Sequence, residues 1–239
     1  MYPCPERRLE ALTRGELVVV DDHDGVMVTE HDLLAKVDAA FEVTGRGLAS
    51  WPDPHPDRSP LDEEYSRLTN PSRWRILCAR ADAWLVAVVD GGLAKVEPSA
   101  AVRWRVPPRT VISRTDHVAP HATGALPLVL ACSQLGPLDD AGITLGVGDP
   151  AIAVAWFPDC GCDACDSGSQ DELDNLDAHI LGIVSGAFRR LSAGNREITV
   201  IGEGGWTASG LPARYDVDAV LADPTGWDEV AGTSWLHHV

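Results

Sequence analysis

Lysine is almost absent from this chain. Lys36 and Lys95 are the only two in 239 residues, so arginine supplies nearly all of the 19 positive charges set against 36 carboxylates. Such a bias suits cations placed for fixed, forked hydrogen bonds, although biased codon usage gives the same count. The formal charge of −17 argues against a nucleic-acid partner, because phosphate binding needs clustered Lys and Arg. Long apolar runs are missing too. None approaches the roughly 20 residues that span a bilayer, and the opening Met1-Tyr2-Pro3-Cys4-Pro5-Glu6 has no signal-peptide pattern. The expectation is a cytoplasmic protein, without a membrane partner, whose thiols stay reduced.

Familiar catalytic patterns are lacking as well. There is no His-x-Glu, whose Glu moves the proton in zinc nucleobase deaminases. His-Glu-x-x-His, the Gly-x-Ser-x-Gly elbow, the P-loop and the dinucleotide Gly-x-Gly-x-x-Gly are absent too. Gly202-Glu203-Gly204-Gly205 lacks the lysine of a phosphate loop and is read as a turn. These absences name no reaction.

What is present is enough apolar residue, 45% of the chain, to bury a substantial core. Trp51-Pro52-Asp53-Pro54-His55-Pro56-Asp57 breaks regular structure. It marks the one boundary on offer: an N-terminal hairpin and helix region over 1–50 and a main domain over 51–239, or one domain throughout. In the first part, 16–20 and 26–28 flank the turn Asp21-Asp22-His23-Asp24-Gly25 as a hairpin. Thr29 then caps a helix burying Leu33, Leu34, Val37 and Phe41, ended by Gly45 and Gly47.

Asn70-Pro71 predicts a helix start, Asn accepting from orphan amides and Pro losing no hydrogen bond at the first position. Trp74, Leu77, Cys78, Ala81, Trp84, Leu85 and Val88 follow at helical spacing until Gly91-Gly92, so both tryptophans are core anchors. Between 93 and 157 the pattern becomes strands, at 102–106, 126–130, 142–147 and 151–157, joined closely enough to be antiparallel. Ser169 and Glu172 offer a capping box to a helix whose apolar face runs from Leu173 to Leu191, ending near Gly194. A strand at 196–201 follows, and the tail carries Trp206, Trp227 and Trp235. The fold class is α+β: an antiparallel sheet meander over 93–157, extended by 196–201 and packed by two long amphipathic helices.

Three of the six cysteines fall within Cys160-Gly161-Cys162-Asp163-Ala164-Cys165-Asp166. Cys162 and Cys165 have the separation that aims two thiolates at one ion, and Gly161 frees the backbone to bring Cys160 to the same point. From Asp159 to Asp177 there are seven acids and no Lys or Arg. Acidic neighbours raise a thiol pKa and oppose a free thiolate, whereas a bound divalent cation relieves them. Zinc on Cys160, Cys162 and Cys165 is therefore preferred to a redox Cys162–Cys165 pair. Candidates for a fourth ligand are His179 on the following helix, Asp163 or Asp166, and His117, His121 or Cys132. Cys4, Cys78 and Cys132 are otherwise read as small buried hydrophobes or spare thiols.

Tyr65-Ser66-Arg67-Leu68-Thr69-Asn70-Pro71 and the cysteine loop, in that order, resemble an uncharacterised bacterial domain-of-unknown-function family. Its members carry a similar Ser-Arg-x-Thr-Asn-Pro stretch and a Cys-Gly-Cys-Asp-Ala-Cys-Asp motif, and the resemblance spans about 63–191. It implies that Cys160, Cys162 and Cys165 act as one unit, and it transfers no catalytic residue. The sequence thus predicts a binding or regulatory protein with a structural zinc and an unidentified protein or small-molecule partner. The alternatives are a zinc enzyme with an open metal position, its proton carried by an acid such as Asp163 or Asp166, and a thiol redox protein. Oligomeric state has no signature in the pattern.

Overall fold

The Thr29 side chain accepts from the Asp32 amide and Asp32 returns the bond to the Thr29 amide, so α1 (Glu30–Thr44) begins at the expected cap and ends at Gly45. The computed structural model describes residues 28–202 and 205–236. Of the hairpin expected over 16–28, only Val28 lies within them; Cys4, and Glu203 and Gly204 of the Gly202–Gly205 turn, lie outside. Leu33 and Val37 on α1 are buried in the same core as α2 (Arg75–Asp90).

Entry into α2 differs from the expectation. Asn70 sits in the left-handed region (φ 53°), and its side chain accepts from the Ser72 hydroxyl instead of capping backbone amides. A 3-10 turn, Pro71–Trp74, intervenes, so the helix starts after it. Trp74 and Trp84 are fully buried, as the apolar stripe requires. The second long helix, α3 (Ser169–Val184), is fastened to α2 through buried Asp177, which accepts from Arg80 Nε (3.0 and 3.1 Å) and Trp84 Nε1 (2.7 Å).

The larger sheet contains β1 (Ala94–Glu97), β2 (Trp104–Val106), β3 (Ile112–Pro120), β4 (Leu128–Leu135), β5 (Leu138–Val147) and β6 (Ala151–Phe157), in the order β1-β3-β4-β5-β6-β2. All neighbours are antiparallel except β2, which returns parallel to β6 at the edge. One face carries α2 and α3, packed through Leu77, Trp84, Leu130, Ile143, Leu145, Leu176 and Ile180. On the other face, Val102, Trp104 and Ile112 cover Val129, Ala131 and Ala151. The α+β class with an antiparallel meander and two long amphipathic helices is the fold observed.

Two details change. The strand at 196–201 does not extend this sheet. It is β8 (Arg196–Val200), the middle of a second, antiparallel sheet with β7 (Arg189–Ala193), β9 (Trp206–Ser209) and β10 (Asp228–Ala231), in the order β10-β7-β8-β9. Nor does α3 reach Gly194. Gly186, at φ +79°, ends it, and a Cβ there would lie 2.5 Å from the Ser234 amide nitrogen. Phe188 and Leu191 continue the apolar pattern only because both enter the interior by another route, Leu191 as a strand residue of the second sheet. That sheet has its own cluster around Leu191, Ile198 and Val217, with α4 (Val217–Ala222) above it.

Cys78 on α2 and Cys132 on β4 are paired as a buried disulfide, with Cα atoms 5.9 Å apart. They are neither spare thiols nor candidate ligands. A separation of 54 residues hid the pairing from the sequence.

Candidate metal centre

Strand β6 runs the chain out of the larger sheet at Phe157 and straight into the cysteine loop. Gly161 turns it at φ +70°, a conformation that favours glycine; a Cβ there would also meet the movable Leu135 Cδ1 at 2.7 Å. A 3-10 turn, Asp163–Cys165, closed by the Cys165 amide on the Cys162 carbonyl (3.1 Å), then brings the last thiol back. The three Sγ atoms all lie within 4.8 Å of one another, and those of Cys160 and Cys162 are 3.3 Å apart. Sulfurs bound about 2.3 Å from one tetrahedral zinc sit about 3.8 Å apart, so this donor set fits a single ion with small adjustment. Cys160 and Cys165 are exposed and Cys162 is half-buried.

The three thiols are unequal. Burial alone would raise Cys162, but hydrogen bonds from the Cys160 and Cys165 thiols and from the Cys165 and Ala164 amides outweigh it and hold Cys162 below the ordinary thiol value. Cys165 is pushed up to about 12 by its hydrogen bonds to Cys160 and Cys162, with burial adding to the shift. The loop thus stabilises one thiolate and resists more. A trio of thiolates needs a cation to balance it.

Both aspartates of the loop turn away from the sulfurs. Asp163 accepts from Arg67 Nε (2.6 Å), the Thr69 amide (2.8 Å) and the Thr69 hydroxyl (2.6 Å), while its own amide donates to the Arg67 carbonyl (2.8 Å). Burial would raise this carboxyl, but the Thr69 and Arg67 hydrogen bonds hold it below the usual carboxylate range. Asp166, 3% exposed, pairs with Arg73 and accepts from Trp51 Nε1 (2.8 Å) and the Gly168 amide (2.9 Å). Arg73 in turn lies 5.0 Å from the Trp51 ring centroid and 5.5 Å from that of Trp74.

A further layer stands behind these contacts. Glu64 accepts from both terminal nitrogens of Arg58 (2.8 Å each), from the Leu61 amide and from Arg67, and pairs with His55 Nε2 at 3.3 Å. The Arg58 hydrogen bonds, joined by the Leu61 amide, hold Glu64 well below the carboxylate range. Ser169 does not form the expected capping box. Its hydroxyl bonds the Trp51 backbone on both sides, accepting at 3.0 Å and donating at 3.1 Å, which fastens the 51–74 segment to the start of α3.

The sequence missed this ring. Arg67 and Thr69 stood in the stretch that carried the family resemblance, but nothing local says that Asp163, 96 and 94 residues later, is their partner. The other candidates are scattered. His117 lies within β3 opposite Glu97 and His121 just beyond that strand; neither joins the cysteines. His179 Nδ1 bonds the Asn175 carbonyl (2.8 Å), its ring stands edge-on to Phe157 (5.0 Å), and burial lowers its pKa, the Asn175 bond opposing. It is not among the donors gathered within 4.8 Å.

Fold and site together define an α+β protein with a built, surface-facing three-cysteine group. Its residues 37–235 match DUF6226, a family of unknown function, and the chain belongs to that family. The match is wider than 63–191 and takes in both the second half of α1 and the tryptophan-bearing tail. No curated protein and no solved structure matches the chain. No helix among the described residues is long and apolar enough to cross a membrane.

Proposed function

We propose that Cys160, Cys162 and Cys165 hold one zinc ion, and that the ion fastens the corner between β6 and α3 in a cytoplasmic binding or regulatory protein whose partner is another protein or a small molecule. The observation that carries this reading is the convergence of three Sγ atoms within 4.8 Å on a loop whose carboxylates are both engaged elsewhere. Soft thiolate donors favour zinc over oxygen-seeking cations. The arginines around the loop hold its two aspartates, and with them the turn that carries the thiols. The buried Cys78–Cys132 disulfide runs against the usual state of thiols in a reducing compartment, and its burial shields it from small reductants.

Elemental analysis of the purified chain is expected to give one zinc per protein, lost in Cys162→Ser. A chain without stoichiometric metal, indifferent to chelator, would sink the proposal. A second reading, an ion with an open position, is favoured by the exposure of Cys160 and Cys165. His179, the ligand expected from the sequence, is not gathered with the sulfurs: its Nδ1 bonds the Asn175 carbonyl and its ring stands edge-on to Phe157.

A further inference from the structure

We infer that the fourth position at the three-cysteine centre belongs to the thiolate of a small, positively charged thiol taken from solution. The inference rests on the metal reading above and deepens it by naming the ligand class of the same site. Four observations lead to it. Among the described residues no fourth His, Cys, Asp or Glu donor joins the three sulfurs. The two carboxylates within the loop are committed, Asp163 to Arg67 and Thr69, Asp166 to Arg73, Trp51 and the Gly168 amide, and Asp159, next to Cys160, is not gathered with the sulfurs. Cys78 and Cys132 are consumed by one another in the core. Cys162 backs onto the protein while Cys160 and Cys165 are exposed, so the remaining position faces solvent.

The donor chemistry selects the ligand. Three thiolates leave a divalent ion soft and already rich in negative charge, which suits a fourth sulfur better than an oxygen. A thiol that binds a divalent cation is deprotonated outright, so each ligand bound releases one proton to solvent and no oxidant or reductant is needed. Charge then discriminates among thiols. The acids Asp163, Asp166 and Asp177 are matched by Arg67, Arg73 and Arg80, whereas Asp159 and Asp171 form no ion pair among the described residues. Asp159 is exposed beside Cys160. A thiol bearing an amine is attracted by this surplus and one bearing a carboxylate is repelled, a difference of roughly tenfold in apparent affinity at low salt, shrinking as salt rises.

The test uses the full chain loaded with cobalt(II), whose near-ultraviolet sulfur-to-metal band counts thiolates and whose visible bands report tetrahedral geometry. Cysteamine is expected to strengthen the sulfur band saturably at roughly tenfold lower concentration than mercaptoacetate, with Asp159→Asn narrowing that gap and His179→Ala leaving the response intact. Cobalt bound through three sulfurs but indifferent to either thiol overturns the inference and leaves the metal reading standing; a spectrum altered by His179→Ala then assigns the closing ligand. Equal response to the two thiols overturns the selection by charge and the inference with it. Failure of cobalt to bind through sulfur defeats the metal reading itself, and the inference falls with it.

Discussion

Asp166 is the residue on which the cysteine loop hangs, and its neighbours explain why. A carboxylate 3% exposed is tolerable only when paired, and Arg73 supplies the pair while Trp51 Nε1 and the Gly168 amide fill the remaining acceptor sites. Asp166→Ala strands the Arg73 guanidinium between two indoles; we predict a loss of about 3 kcal/mol in urea unfolding and a fall of about 10-fold or more in zinc affinity by chelator competition. Glu172 makes a different prediction. Burial, with the charges of Asp166 and Asp171 adding, raises its carboxyl from 4.5 to about 7. The folded protein therefore holds a proton that the unfolded chain gives up, and stability falls as pH rises from about 4.5 to about 7. Glu172→Gln is expected to remove that fall, gaining about 1–2 kcal/mol at pH 8 relative to wild type once solvent screening is allowed for, and little at pH 4. At this scale the sequence was half legible. The cysteines declared themselves by spacing, but Arg67, Thr69 and Arg73 acquire their meaning only from a partner far along the chain.

At the scale of elements, periodicity found α2 and the body of α3 because each buries one face against the sheet. It failed at the end of α3, where Phe188 and Leu191 fall in helical phase although Ser185-Gly186 has already stopped the helix. An apolar residue reports burial, not the element that achieves it, so the stop signal outranks the phase. The entrance to α3 shows the same dependence on context: Ser169 had a better partner in the Trp51 backbone than in its own helix. Gly168, at φ +93°, makes that junction possible, since a Cβ there would lie 2.6 Å from the Asp53 nitrogen and 2.9 Å from the Pro52 carbonyl carbon. Gly168→Ala is expected to cost about 2–3 kcal/mol and loosen the 51–53 segment. Gly194→Ala, also at positive φ but with nothing within 4 Å, should cost only about 1 kcal/mol. Parallel urea titrations of the two variants separate collision from backbone strain.

For the whole molecule, the two sheets divide the labour. The larger sheet and its helices carry a core that owes nothing to the three loop cysteines, and the second sheet has a core of its own, so chelation is expected to leave the far-ultraviolet circular dichroism unchanged. What should change is the 51–74 segment, whose ties to α3 and the loop run through Asp163, Asp166 and Ser169. Limited trypsin digestion is expected to cut at Arg58 and Arg67 faster in the chelated protein than in the loaded one; equal rates would show that the ring stands without the ion. The class of the fold was legible because alternation and turn chemistry are local. The second sheet was not, because β10 reaches β7 from the far end of the tail.

The ring around the cysteines also limits how the site can be inherited. Arg67 and Asp163 are 96 residues apart, and Trp51 and Asp166 115, so no contiguous stretch of chain carries the whole arrangement. A peptide of the loop could bind an ion but would lack the arginines that set its shape. The site is thus not a portable module of the kind that moves between proteins by recombination. Among relatives, Asp163 should be exchanged only together with Arg67 or Thr69, and Asp166 only together with Arg73, as paired substitutions across almost half the chain.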